Sequence, residues 1–179
     1  MKKTVTWQMG LLFPIALLFA GCDLLDDTPQ CVNHAVAPVT TFATGLNNPR
    51  GLKFGPDGNL YVAEAGTGGT NSTAGQCEQV GGPVGPYTGS PTGGRVSKIS
   101  SAGIRTTVTD KLPSSQAQEL IGGDVEGVAD VAFIGNTMYA LLAGAGCSHG
   151  VTSMPNGVVR INLNGSFTQI ADISAFSNG

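Results

Sequence analysis

The chain has 179 residues, a formal charge of −3 and a pI near 5.2. No basic patch accumulates along it, which argues against a nucleic-acid partner. Glycine is abundant at 27 residues, while aromatics make up 6% and charged residues 12%, a composition that suits short strands and tight turns better than helices.

The N-terminus reads MKKTVTWQMGLLFPIALLFAGC. Lys2 and Lys3 precede an apolar run from Met9 to Ala20 that is too short for an ordinary membrane-spanning helix. The run ends in Ala20, Gly21 and Cys22, and it resembles the lipobox of bacterial lipoproteins, with Phe19 where leucine is more usual. The resemblance implies a signal peptide over residues 1–21, lipid on Cys22 and a tether over residues 22–38. Several acyl chains on one cysteine anchor a protein stably. The chain is then an exported lipoprotein on the periplasmic or outer surface of a bacterium, with the membrane as its first partner. The competing reading is an ordinary secretory signal whose cysteine is incidental.

From Val39 the pattern is β-like. The stretch VTTFATGL is short and β-branched, and GLKF follows with Leu52 and Phe54 on one face. In GPDG, Pro56 presets the turn, Asp57 tolerates its second position and Gly58 accepts the positive φ that closes a hairpin. NLYVAEAG is the return strand. Residues 67–93 then form a long loop rich in Gly, Ser, Thr and Pro; a loop of this length is usually functional or disordered. GRVSKISSAG is a further strand ending in a turn.

The order then repeats. IRTTVTD matches VTTFATG, and ADVAF matches RGLKF, so Phe133 corresponds to Phe54 and Asp130 to Gly51. TMYALLAGAG matches NLYVAEAG, with Tyr139 for Tyr61, and NGVVRINLNG matches GRVSKISSAG, with Ile161 for Ile99. SFTQIADISAF is expected to begin a third copy. Each copy holds about four short strands and cannot bury both faces alone, so copies must stack. Radial stacking gives a β-propeller. The expected fold is therefore all-β: an incomplete propeller domain over residues 39–179, with about two four-stranded blades and the start of a third. The ring would be completed either by sequence beyond Gly179 or by several chains assembling together.

Export permits a disulfide. Cys77 and Cys147 lie in corresponding loops of adjacent copies, which predicts a Cys77–Cys147 bond and leaves Cys31 free or paired elsewhere. A metal site is weakly indicated: no two cysteines are closely spaced, and only His34 and His149 could assist.

The stretches ATGLNNPRGLKFGPDGNLYVAEAGTGG, GVADVAFIGNTMYALLAGAGCSHG and NGVVRINLNGSFTQIADISAF together resemble the ScyD/ScyE family of exported, propeller-like proteins. The resemblance runs from about Phe42 to the end, and its specificity lies in the order of the motifs; PDGNLYV alone occurs in many propellers. It implies fold and location more than a reaction.

Propeller channels are lined by the starts of the innermost strands, which makes Arg50 and Asp130 candidate ligand contacts. They could equally bond loop backbone or each other. Glu64, acidic within YVAEAG and matched by Leu142 in the second copy, could bind a ligand or cation or sit on a solvent-facing strand surface. His149, two residues after Cys147, invites a nucleophile or metal reading but has no visible general-base partner in the sequence. Asn71 and Asn164 stand in glycosylation sequons. A phosphate-binding glycine motif and a G-x-S-x-G elbow are both absent. No catalytic residues and no cofactor are identified. The favoured role is binding of a small molecule, glycan or protein. The alternatives are a propeller enzyme of the sugar lactonase or quinone-dependent sugar dehydrogenase type, and a structural surface scaffold.

Overall fold

The computed structural model describes residues 38–118, 123–162 and 164–177. The expected signal segment, Cys22, the expected tether up to residue 37, Cys31 and His34 lie outside these residues. From Thr40 onward the chain forms one all-β unit of two antiparallel sheets, each laid down in chain order. The first sheet contains β1 (Pro49–Phe54), β2 (Leu60–Glu64), β3 (Thr88–Ile99), β4 (Arg105–Gln116) and the two-residue β5 (Val125–Glu126). The second contains β6 (Val128–Ile134), β7 (Thr137–Leu142), β8 (Gly157–Ile161) and β9 (Phe167–Asp172), followed by a short helix α1 (Ile173–Ser177).

Local chemistry sets the hairpins. At the β1–β2 turn the Gly58 N–H donates to the Gly55 carbonyl at 3.0 Å, and Gly58 sits at φ +75°, a region that costs a residue without Cβ little. Gly103 and Gly165 close the β3–β4 and β8–β9 turns in the same way, donating to the Ser100 and Asn162 carbonyls at 2.9 Å each.

The sheets are copies in register, not only in order. In the first, Lys53, Tyr61, Lys98 and Thr106 form one cross-strand row; in the second, Ala132, Tyr139, Arg160 and Thr168 form its counterpart. The next row reads Phe54, Leu60, Ile99 and Arg105 in one sheet and Phe133, Met138, Ile161 and Phe167 in the other. Even the irregularity is shared: Val108 is skipped in the pairing of β3 with β4, and Ile170 in that of β8 with β9.

One face of each sheet builds the common core. Tyr61, Ala63, Val96 and Leu112 from the first meet Val128, Val131, Ala140, Leu142, Val159 and Ile161 from the second. Tyr61 and Phe133 join edge to face, with ring centroids 4.9 Å apart. Burial at about 25 cal/mol per Å² of apolar surface makes this shared layer the main source of cohesion between the sheets.

Four expectations are adjusted. Residues 39–46 were expected to form a strand and do not: no described strand offers them a ladder, and the segment is held by point contacts, Arg95 Nη2 to the Gly45 carbonyl at 2.7 Å among them. The long loop is shorter than its composition suggests, because β3 already begins at Thr88. β4 runs on through Pro113, which has no N–H to give, and register shifts between Ser90 and Val96 of β3 absorb the misfit. Phe167–Asp172 is the fourth strand of the second sheet and not the opening of a third copy; the tight turn at Gly165 returns it onto β8. Among the described residues there are two sheets, and neither closes into a ring.

Candidate functional site

Tight turns join the strands at one end of the two sheets, and the two long insertions lie at the other. The insertion after β2 and the one after β7 are tied by a disulfide between Cys77 and Cys147, with Cα atoms 6.3 Å apart. Backbone and side chains reinforce the join. Asn71 pairs with Gly89 through both backbone bonds at 2.9 Å and donates from Nδ2 to the Gly150 carbonyl, and the Thr73 hydroxyl donates to the Cys147 carbonyl. Asn71 is thus a structural clamp in the described arrangement, and Asn164 caps its own turn by accepting the Ser166 N–H at 3.0 Å.

A polar chain runs through the same region. His149 Nε2 lies 3.0 Å from Glu126 Oε2, the Tyr87 hydroxyl donates to Glu126 Oε1 at 3.1 Å, and the Tyr87 and His149 rings pack at 4.6 Å. Ser148 Oγ sits 3.0 Å from His149 Nδ1. The carboxylate on Nε2 favours the tautomer that carries its proton there, leaving the Nδ1 lone pair to accept from Ser148. The His149 hydrogen bond draws Glu126 below the ordinary glutamate value, against the opposing effect of burial. Burial first, and then the Glu126 charge, push Tyr87 up to about 12. The partner that His149 lacks in the sequence is therefore Glu126, contributed by the short strand β5.

Beside this chain opens a cleft of about 730 Å³. Its lining includes Gln79, Ser148, Ser153, Met154, Asn156 and Asp172. Asn156 Oδ1 accepts the Ala145 N–H at 2.7 Å and Asp172 Oδ1 accepts the Ala175 N–H at 2.9 Å, so both side chains are held in place. Two carboxylates, Glu78 and Asp172, with several hydroxyl and amide groups and a thioether can hydrogen-bond and pack a hydroxyl-bearing molecule. Among the described residues no group of three or more His, Cys, Asp or Glu is placed to hold a metal ion.

The residues singled out in the sequence fall in different places. Arg50 lines a small pocket of about 210 Å³ with Asp124, Glu126 and Ala129, and its guanidinium is engaged by Asp124 at 2.8 Å and by the Val125 carbonyl. Asp130 is exposed and accepts the Val131 N–H at 2.8 Å. It does not pair with Arg50; it lies against Gly51, where a Cβ would overlap its carboxylate. Glu64 is fully buried at 0% exposure. Its Oε1 accepts from Arg95 Nε at 2.9 Å and from the Ser97 hydroxyl, and its Oε2 accepts from Arg95 Nη2 and the Asn47 N–H at 2.5 Å each. Burial alone would raise the Glu64 carboxyl, but the bonds from Arg95, Ser97 and Asn47 overcome it and hold the group below the ordinary value. With its acceptor positions filled, Glu64 is an internal anchor for the segment entering β1.

At the turn end a second cleft of about 900 Å³ separates the sheets, with Tyr61, Lys98, Phe133 and Arg160 on its walls. Lys98 there meets Asp57 at 3.0 Å, and the Tyr61 hydroxyl donates to the same carboxylate at 3.0 Å.

Compared with protein-family profiles, curated proteins and solved structures, the chain finds no match in any of the three.

Proposed function

We propose that the chain is an extracytoplasmic, lipid-anchored binding protein of β-propeller type, related to the ScyD/ScyE family, and that it takes a small hydroxyl-rich ligand at its loop end. The carrying observation is the cleft of about 730 Å³ between two insertion loops that a disulfide holds together. A pocket of this size, already formed and fixed by covalent and hydrogen-bonded struts, loses little conformational entropy on binding. The disulfide supports an oxidising compartment. The repeated rows of the two sheets support stacking of blades. The lipobox at Cys22 supports anchoring to a membrane.

The test is a thermal-shift screen of the oxidised chain against mono- and disaccharides and small polyols. A stabilising hit that Ser153→Trp abolishes, without changing the unliganded midpoint, supports the cleft. A hit that survives Ser153→Trp places the ligand elsewhere, and the absence of any hit across the panel removes this reading.

A further inference from the structure

The loop end holds a chemistry that ligand binding alone does not use. Ser148 borders the cleft, and its hydroxyl lies 3.0 Å from His149 Nδ1. On the far side of the ring, His149 Nε2 lies 3.0 Å from Glu126 Oε2. A hydroxyl, an imidazole and a carboxylate thus form one hydrogen-bonded line that ends at the cleft wall. Ser148 and His149 come from the single 3₁₀ turn Cys147–His149, and Glu126 comes from β5 of the other sheet.

Each part of this line is held. The Tyr87 hydroxyl donates to the second Glu126 oxygen at 3.1 Å, and the Tyr87 ring packs on His149. The His149 side chain is 14% exposed. The disulfide anchors the turn at Cys147, and Gly150 closes it at φ +73°, where a Cβ would overlap the Asn71 carbonyl oxygen. The Ser148 hydroxyl also differs from the other serine hydroxyls. Ser97 donates to Glu64, Ser114 donates to the Ala65 carbonyl at 2.6 Å, and Ser72 and Ser100 accept N–H groups of their own turns. Those hydroxyls stitch the fold. Among the described residues, the one hydrogen-bond partner of the Ser148 hydroxyl is an imidazole nitrogen, which is a base.

We propose that Ser148 is a nucleophile toward small uncharged esters, with His149 Nδ1 as its general base and Glu126 as the residue that positions the ring. Either imidazole nitrogen can act as the base: the one bound to the carboxylate keeps its proton, so the other carries the lone pair. The Ser148 proton passes to Nδ1 as Oγ bonds to the ester carbonyl carbon. The bond from that carbon to the alcohol oxygen then breaks, and Nδ1 returns the proton to the departing oxygen. A water next gives a proton to Nδ1 and attacks the acyl carbon; the acyl–Oγ bond breaks, and the proton goes back to Oγ. The products are a carboxylic acid and an alcohol, with the serine restored. The charge of the cleft sets the substrate class. Glu78 and Asp172 line it and, among the described residues, no lysine or arginine does, so phosphate esters and other anions are repelled. This activity shares the cleft of the binding reading above but not its ligand, and either can fail without the other.

The test uses the full oxidised chain with two probes, a dye-bearing fluorophosphonate and p-nitrophenyl acetate. The fluorophosphonate is expected to bond Ser148 Oγ with loss of fluoride, as mapped by peptide mass, and the chain unfolded in urea is expected to take no dye. Ser148→Ala is expected to lose the label and to hydrolyse the acetate no faster than the unfolded chain, at an unchanged thermal midpoint. His149→Gln is expected to slow both reactions about a hundredfold. Glu126→Gln is expected to lower kcat about tenfold with KM unchanged, a split that an altered cleft shape would not give. A wild-type chain that takes no label, a label on another residue, a Ser148→Ala variant that hydrolyses the acetate at the wild-type rate, or a Glu126→Gln effect confined to KM would each overturn the proposal. Labelling of the wild-type chain decides the matter even if a variant fails to fold. Sugar-induced thermal shifts report on the binding reading separately: a chain that binds sugar but takes no label loses this proposal alone, and a labelled chain that binds no sugar loses the binding reading alone.

Discussion

The two ends of this molecule are built from the same strands and held by different means. At the turn end, connections are a few residues long, and the Asp57 links stay within the first sheet: Asp57 reaches Asn59, Tyr61 and Lys98, all on β1–β3 or their turns. At the loop end, the links cross from the first sheet and its insertion to the insertion of the second, Cys77 to Cys147 and Glu126 to His149. Short turns need no further support because their geometry fixes the register. Long insertions carry a large entropy of disorder, so their order has to come from covalent and polar cross-links.

That contrast can be broken most forcefully at the disulfide. In the chain-entropy view, a bond between residues 70 positions apart restricts the unfolded chain by about 4 kcal/mol. Cys77→Ser with Cys147→Ser is expected to lower the unfolding free energy obtained from urea titration by an amount of that order. Hydrogen exchange is expected to accelerate in the loops while β1–β2 and β6–β7 keep their protection. Uniform loss of protection over both ends would show that the loops are not a separate unit.

Arg95→Ala should follow in size. It leaves the Glu64 carboxylate buried with its main partner gone, a change that costs about 3 kcal/mol. Equilibrium unfolding measures it, and Arg95→Ala combined with Glu64→Leu should recover part of the loss. A double variant no more stable than the single one would contradict the pairing.

Acid should act more mildly, and at both networks. Glu64 and Glu126 are both held below the ordinary glutamate value of 4.5, so the stability they lend is present above that value. It is lost as pH falls through 4.5 and on toward their lower folded values. Glu126→Gln is expected to flatten the acid limb of a stability–pH curve, and an unchanged limb would remove Glu126 from the account. The smallest effect is expected from Lys98→Gln at the solvent-exposed turn end, where salt and water screen the pair with Asp57. Thermal denaturation with and without added salt checks it.

Much of the sheet pattern was legible because it depends on neighbours a few residues apart. Gly58 as the turn closer, the pairing of Tyr61 with Tyr139 and of Phe54 with Phe133, and the Cys77–Cys147 bond all follow from the repeat. The partner of Glu64 was also within reach. Once Tyr61 is set opposite Lys98, counting outward along the two antiparallel strands brings Glu64 opposite Arg95. What stayed hidden was the approach of Glu126 to His149. β5 is only two residues long and follows an insertion, so no periodicity marks it. Residues 39–46 misled for the opposite reason: their β-branched character is real, but a strand needs a neighbour to pair with.

The cysteine bond has a mechanical consequence as well. If the chain is pulled from points outside Cys77 and Cys147, tension crosses directly between the two sulfurs and bypasses everything between them. The 70-residue span then contributes nothing to the stretched length, which falls short of that of the reduced protein by about 240 Å. All of β3, β4, β5, β6 and β7 lie inside that unloaded circle, while Ser148, Ser153, Met154 and Asn156 of the cleft lie outside it. Force applied at the two ends of the oxidised chain would leave those strands unstretched.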